Sequence, residues 1–233
     1  MRKLVALLTA LCAAPGCGSD EGAEPGGAKD AGPDVNYDPV VIESSQCGAV
    51  RQQHPTVASP HVAECSELTF TTDPPTSGPH YGTWAAFEVY SVAVPYGYLV
   101  HAMEHGAVVV FYNCESDCST EVSAAEKWAS NLPLDPKCAG SSAKRRLILA
   151  PSPTLPSRWA AAAWGATLRA SCFEAEVFED FYQGFYDKAP ESLCADGADL
   201  KNDDGGLIVP PNCGQGDGGD FDGGGPNMDS GTD

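Results

Sequence analysis

The chain has 233 residues, of which 32 are acidic and 13 are basic, so that its formal net charge is −19. A protein this acidic is a poor partner for nucleic acid and for anionic lipid headgroups, because both would repel it. Its length leaves room for one ordinary domain with flanking segments.

Residues 1–16 have the pattern of an export signal. Arg2 and Lys3 precede an apolar run too short to cross a bilayer, and small residues follow as far as Gly16. Cys17 directly follows that small residue, an arrangement that resembles the lipobox of bacterial lipoproteins. We therefore expect cleavage before Cys17, acylation of its thiol and anchoring in the outer membrane, facing the periplasm or the cell surface. A plain secreted protein is the alternative.

The two segments that flank the central region are rich in Gly, Pro, Ala and acidic side chains, at residues 17–36 and 196–233. They hold too little apolar surface to offset the entropy of ordering. We therefore expect a disordered linker after Cys17 and an acidic, low-complexity tail. Residues 37–195 have ordinary aliphatic and aromatic content and predict one globular domain.

Secondary-structure elements can be predicted in chain order within this domain. The stretch at 101–105 predicts a helical turn that ends at Gly106, and the β-branched run Val108–Tyr112 predicts a buried strand. Ser123 followed by Glu126 has the pattern of a capping box, which predicts a helix that Pro133 ends.

The second half of the domain continues this alternation. Residues 145–150 predict another buried strand, the alanine-rich residues 158–172 predict a helix, and residues 176–191 predict a last helix that Pro190 closes. Because strands and helices interleave, we expect an α/β or α+β fold, a single compact domain with a small mixed sheet packed by helices.

Eight cysteines remain if Cys12 leaves with the signal and Cys17 carries lipid. An even number in an exported protein predicts a disulfide framework, although the sequence leaves the connectivity open. The spacing of Cys114 and Cys118 permits a local bridge, and Cys213 is a candidate to fasten the tail to the domain, with Cys194 as a possible partner. The disulfide candidates are Cys47, Cys65, Cys114, Cys118, Cys138, Cys172, Cys194 and Cys213.

All five histidines lie between His54 and His105, and the stretch LVHAMEHG places two of them four positions apart. On a helix, His101 and His105 would share one face and could hold one ion together. His80 follows a rigid, proline-rich loop, so its backbone would lose little conformational entropy when it binds an ion. It is the third expected ligand. Met103 between the two histidines favours copper, because a thioether sulfur is a soft ligand, with zinc as the second choice.

The remaining polar residues of this region have supporting roles in the same interpretation. Glu104 is expected to lie beside the ligands and to accept a hydrogen bond from an imidazole N–H, which fixes the tautomer of that ring. His54 and His61 flank a loop-like segment and are expected to be surface histidines.

Residues 74–112, which contain PPTSGPHYGTW and LVHAMEHG, resemble the signature of the bacterial domain of unknown function 3105 (DUF3105) family. Members of that family are mostly exported or membrane-tethered. Met103 stands where the family usually has leucine, and the likeness extends more loosely over about residues 65–192. The resemblance implies a shared fold and motif but no activity. The matching positions are Thr76, Ser77, Gly78, Pro79, His80, Trp84, Tyr90, His101, Glu104, His105 and Gly106.

Three functions remain open on this basis. The first is an exported lipoprotein that binds copper, or zinc as second choice, through His80, His101, His105 and Met103. The second is a metal-free structural or interaction module in which these histidines and Glu104 form a buried hydrogen-bond network. The third is an H-x-x-E-H zinc hydrolase with Glu104 as general base. That arrangement needs a helix of several turns, while a strand follows Gly106 at once, so the context favours a protein that is not an enzyme.

Overall fold

Short strands that are apolar on both faces form the centre of the molecule. The computed structural model of the protein describes residues 35–114, 118–202, 204, 206 and 207. The strands in chain order are β1 (Val40–Val41), β2 (Val50–Gln53), β3 (His61–Val62), β4 (His80–Tyr81), β5 (Val108–Tyr112), β6 (Leu147–Pro151), β7 (Trp159–Ala163) and β8 (Ala166–Ala170). The helices are α1 (Tyr96–Glu104), α2 (Ser119–Asn131) and α3 (Ala175–Phe185), with a short 3-10 helix at Pro136–Cys138.

Six strands form one sheet in the order β1-β2-β8-β7-β5-β6. Strands β5 and β6 are parallel, and the other neighbours are antiparallel. A parallel pair needs a crossover connection, and α2 lies in the segment that joins β5 to β6. Strands β3 and β4 pair separately as a parallel two-stranded sheet.

Side chains alternate between two hydrophobic clusters on the two faces of the six-stranded sheet. Val108 and Val110 of β5 belong to one cluster, together with residues of α2 and α3. Val109 and Phe111 belong to the other, together with residues of α1. Because both faces are covered, consecutive residues of the central strands are apolar, as the unbroken run at β5 indicated. The sheet therefore holds α1 on one face and the other two helices on the opposite face.

Residues 159–170 form a β-hairpin, so the alanine-rich helix predicted there is wrong. Strands β7 and β8 pair in direct register, from Trp159 opposite Ala170 to Ala163 opposite Ala166. Gly165 in the turn has a positive φ of 69°, a conformation that suits a tight hairpin. All five residues of β7 are buried. Their small side chains suit a strand between two packed layers, and this tertiary context overrides the helix propensity of alanine.

The other predicted elements are present, with shifted ends. Strand β5 has the predicted bounds, β6 occupies 147–151 rather than 145–150, and α3 lies inside the predicted 176–191 apart from its first residue. Helix α2 begins at Ser119 with Cys118 as its N-cap and no side-chain capping bond, so the capping box predicted at Ser123 is wrong. The predicted mixed sheet packed by helices is confirmed.

Three disulfides crosslink the described residues: Cys47–Cys172, Cys114–Cys118 and Cys138–Cys194. The local bridge that the spacing permitted is therefore present. Cys65 is also disulfide-bonded. Cys194 pairs with Cys138, so its suggested pairing with Cys213 is wrong, and Cys213 and Cys17 lie outside the described residues.

The described residues from Asn36 onward belong to one compact unit. Among the described residues, no helix has both the length and the apolar character needed to span a membrane. The predicted signal and nearly all of the predicted linker, together with the tail beyond residue 207, lie outside the described ranges, and their boundaries stay predictions.

Candidate metal centre

Helix α1 and its C-terminal capping residue, His105, place three polar side chains on one face, because Glu104 and His105 follow His101 by three and four positions. Gly106 follows with a positive φ of 93°, so the predicted end of the helix is confirmed, although the helix has nine residues rather than a single turn. Met103 is two positions from His101, and such residues do not face each other on a helix. It is fully buried in the hydrophobic cluster that α1 forms with the sheet, so its sulfur lies among apolar side chains.

The two-stranded sheet brings two further histidines beside this helix. Strands β3 and β4 pair in parallel with His61 directly opposite His80. Helix α1 packs against β4 at Gly97, where a Cβ atom would lie 2.5 Å from the Tyr81 ring and 2.8 Å from Leu68. A glycine at this position therefore allows α1 to approach β4 closely enough to bring His101 next to His80.

The proline-rich loop before β4 is held by hydrogen bonds from three directions. The amide of Gly165 donates to the carbonyl of Thr76 at 3.0 Å, and the amide of Val57 donates to the Ser77 hydroxyl at 3.1 Å. The amide of Gly78, which has a positive φ of 119°, donates to the Ser59 hydroxyl at 3.1 Å. The loop thus presents His80 in a fixed position, as its sequence indicated.

Three imidazoles and one carboxylate converge at this junction, and we call His61, His80, His101 and Glu104 the His/Glu cluster. The ring centroids of the three histidines lie 4.7–4.9 Å from one another. Oε2 of Glu104 lies 3.0 Å from Nε2 of His80 and 3.9 Å from Nε2 of His61. One ligand atom of each residue lies within 4.8 Å of the other three. A tetrahedral ion with bonds of about 2.0–2.1 Å separates its ligands by roughly 3.4 Å, so small side-chain movements would close the cluster around an ion.

Backbone carbonyls fix the tautomer of two of these rings. Nδ1–H of His80 donates to the carbonyl of Gly78 at 2.9 Å, and Nδ1–H of His101 donates to the carbonyl of Tyr81 at 2.7 Å. With the proton on Nδ1, the lone pair of a neutral ring is on Nε2. Metal-binding histidines commonly have such an acceptor at the nitrogen that does not bind the ion.

Nε2 of His80 is buried without a hydrogen-bond partner among the described residues. Its 3.0 Å contact with Glu104 is close, but the contact is not aligned as an N–H···O hydrogen bond. A buried polar atom left without a partner costs about 1–3 kcal/mol. An ion bound to this nitrogen would remove that cost, so the donor set fits a metal.

The electrostatics keep His101 in the form that binds metal. Burial, assisted by the neighbouring rings of His105, His80 and His61, lowers the pKa of His101 to about 4 against the opposing effect of the Tyr81 carbonyl. Burial also lowers the pKa of His105. His101 is therefore neutral at neutral pH, with a lone pair available to an ion.

His105 lies next to the cluster but outside it. Its ring contacts the His101 ring at a centroid distance of 4.6 Å and the Trp84 ring at 4.5 Å. Its Nε2 lies 3.2 Å from Oε2 of Glu191, and its Nδ1 is buried with no hydrogen-bond partner in the described part of the chain. Of the four ligands expected from the sequence, two are thus in the cluster, and Glu104 stands as a candidate ligand beside them.

The sequence interpretation did not identify His61 as a ligand. Its side chain is 56% exposed, as expected of a surface histidine, yet its ring is part of the cluster. The parallel pairing of two strands of two residues each brings it next to His80. Strands this short show no hydrophobic periodicity from which they could be predicted. His54, the other expected surface histidine, binds the Thr167 hydroxyl through Nε2 at 2.8 Å.

Comparison with known proteins gives one match. The profile of a family described as a protein of unknown function (DUF3105) matches residues 61–196, more than half of the chain. The match begins at His61 and includes every residue of the His/Glu cluster. No curated protein and no solved structure shows a significant match to the chain.

Proposed function

The chain belongs to the DUF3105 family, whose description assigns no activity, and from this premise we propose that it binds one transition-metal ion through the His/Glu cluster. One observation carries the proposal: four potential ligand atoms, one from each residue of the cluster, lie within 4.8 Å of one another, and Nε2 of His80 is buried with no hydrogen-bond partner among the described residues. A purely structural network of buried polar groups would be expected to satisfy that nitrogen.

The donor atoms favour particular ions. Three imidazole nitrogens and one carboxylate oxygen suit copper(II) or zinc, whereas calcium and magnesium prefer shells made of oxygen. We propose copper(II) first, because it binds most tightly of the divalent first-row metals to such sites, and zinc second. Because Met103 is buried in the apolar cluster, its sulfur no longer supports the choice of copper.

A metal-free module is the second candidate, and the 3.0 Å contact between His80 and Glu104 is the observation that favours it. In that case the cluster would be an ion pair that locks β4 to α1. The H-x-x-E-H hydrolase gains no support from the geometry, because Nε2 of His105 contacts Glu191 and Glu104 lies among the candidate ligands. The proposal therefore contains no catalytic step.

We also propose that the protein acts outside the cytoplasm, attached to the outer membrane by acyl chains on Cys17. The signal-like residues 1–16 support this, and so does the disulfide bonding of the domain, since cysteines pair in oxidising compartments. The protein would then attach to the membrane through its acyl chains and not through a surface that binds lipid headgroups, and we propose no nucleic-acid partner. The mass of the mature N-terminus tests this proposal: a diacylated Cys17 supports it, and an unmodified N-terminus indicates the secreted alternative.

Titration of the untagged, metal-free protein with copper and with zinc tests the metal site. We expect one ion per chain, and each of the variants His80→Ala and His101→Ala should weaken binding by on the order of 100-fold or more. His54→Gln is the matched control, because His54 lies outside the cluster and glutamine can keep its bond to Thr167. If the two cluster variants bind metal as the wild type does, the proposed site is wrong.

The same titration separates the metal site from the metal-free module. A ligand that binds only the native state stabilises it by about 2.7 kcal/mol at a concentration 100 times its dissociation constant. The bound protein should therefore unfold at a higher temperature. A melting temperature that neither copper nor zinc changes would favour the metal-free module.

A further inference from the structure

The members of the His/Glu cluster differ sharply in exposure. The side chain of His80 is fully buried and His101 is almost so, and Glu104 has a side-chain exposure of 12%. His61 alone among the four is mostly open to solvent. The solvent-facing side of the cluster is therefore formed by His61 with the edge of Glu104.

The three rings also differ in how firmly they are held. Turning His80 or His101 out of the cluster would break a buried hydrogen bond from Nδ1 to a backbone carbonyl. No hydrogen bond to a described residue orients the ring of His61, which has ring contacts and a 3.9 Å approach to Glu104. Its strand, β3, has two residues and pairs with β4 alone among the described strands. Rotation about the His61 side-chain bonds can thus carry its ring into solvent at little cost.

We propose that His61 is the exchangeable ligand of the metal site. The ion enters and leaves on the His61 side while His80 and His101 hold it, and an external nitrogen donor can take the coordination position of His61. In this step one metal–nitrogen bond breaks and another forms from the lone pair of the incoming neutral donor. No electron or proton is transferred, and the oxidation state of the metal is unchanged. The inference rests on the proposed function, because it requires an ion in the His/Glu cluster.

The exposure difference gives a test by chemical rescue. In His61→Gly, the missing ring leaves a coordination position open to solvent, so free imidazole should bind there and restore the electron paramagnetic resonance spectrum of the wild-type copper(II) protein. In His80→Gly, the missing ring leaves a position covered by protein, and the same imidazole concentration should not restore the spectrum. Both variants are made in the full chain, and circular dichroism checks that each is folded.

The kinetics of copper removal by EDTA give a second readout that needs only the wild type and His61→Gly. In the wild type, the rate should reach a plateau as the EDTA concentration rises, because release of His61 becomes limiting. In His61→Gly, the position is already open, so the rate should rise without a plateau and exceed the wild-type rate by on the order of tenfold or more. Added imidazole should slow it again.

The outcomes distinguish this inference from the site on which it rests. If the wild type binds no copper or zinc, the metal site and the inference both fail. If the wild type binds copper but His61→Gly releases it at the wild-type rate, His61 is not the exchangeable ligand and the site itself stands. Complete loss of copper binding in His61→Gly would also overturn the inference, because His61 would then be an anchoring ligand.

Discussion

Two backbone carbonyls decide which nitrogen of each buried imidazole can act as a base. The carbonyls of Gly78 and Tyr81 accept hydrogen bonds from Nδ1 of His80 and His101, and both acceptors lie within 2.9 Å. The fixed tautomer leaves Nε2 without a proton, which is the condition for binding a cation. At this scale, the cluster contains two imidazole rings of fixed orientation, and burial keeps one of them, His101, neutral.

Because His101 is buried, we predict that the stability of the metal-free protein depends on pH. Burial lowers its folded-state pKa to about 4, whereas the unfolded chain has an ordinary pKa of about 6.5. Between these values the unfolded state binds more protons, so the free energy of unfolding should fall as the pH falls from about 7 to 4. At about 1.4 kcal/mol for each pKa unit, the loss is on the order of 3 kcal/mol. Urea unfolding at a series of pH values, with chelator present, measures it.

The carboxylates of the domain act in a different pH window. Burial raises the pKa of Asp187, but hydrogen bonds from Arg146, Lys137 and Ser192 outweigh burial and hold it well below its usual range. Such a group stabilises the fold above its unfolded pKa of about 4, and this contribution is lost only as the pH falls further. His101→Gln should therefore flatten the slope between pH 7 and 4 and keep the loss below pH 4. An unchanged slope in this variant would contradict the role given to His101.

At the scale of secondary structure, the contact between α1 and β4 sets the distance between His101 and His80. Gly97 is the point of closest approach, because any Cβ atom there would overlap the Tyr81 ring. The other end of α1 is fixed by Arg146, which is fully buried, donates to the carbonyl of His105 at 2.8 Å and pairs with Asp135 and Asp187. Helix α1 therefore has little freedom to move relative to the two-stranded sheet of β3 and β4.

Gly97→Ala should weaken metal binding without removing a ligand. The added methyl group has to displace the Tyr81 ring, which lies in the strand that carries His80, and such overpacking costs about 1–3 kcal/mol. Gly184→Ala in α3 is the matched control, because a Cβ atom there meets nothing within 4 Å. The control should raise stability by about 0.5–1 kcal/mol and leave metal affinity unchanged. Thermal unfolding and metal titration of both variants check this, and equal metal affinities would contradict it.

Elements that depend on a local sequence pattern could be predicted from the sequence. The β-branched run predicted β5 to the residue, and Gly106 predicted the end of α1. The hairpin of β7 and β8 could not be predicted in this way, because alanine favours a helix until two packed layers require a small side chain between them. The role of His61 could not be predicted for a related reason, because it depends on the long-range pairing of two very short strands.

At the scale of the whole molecule, disulfides join parts of the chain that are far apart in sequence. Cys47–Cys172 spans a separation of 125 residues and links the entry to β2 with the end of β8. Cys138–Cys194 fastens the segment after α3, in which the amide of Leu193 donates to the carbonyl of His105 at the end of α1. Cys114–Cys118 spans only four residues. These bridges differ in how strongly they restrict the unfolded chain.

Removing Cys47–Cys172 should cost far more stability than removing Cys114–Cys118. The chain-entropy account gives about 5 kcal/mol for a loop of 125 residues and about 2 kcal/mol for a loop of four, a difference of about 3 kcal/mol. Urea unfolding of the two double serine variants under non-reducing conditions measures the difference. Equal losses would show that the long bridge does not limit the unfolded state as proposed.

X-ray absorption spectroscopy of the zinc-loaded protein tests the central claim most directly, because scattering from imidazole rings counts the histidines bound to the ion. The account predicts one zinc per chain with three imidazoles and one oxygen ligand, at bond lengths of about 2.0–2.2 Å. The count should fall to two imidazoles in His80→Ala if that variant retains zinc. A shell without imidazole, or one dominated by sulfur, would contradict the account.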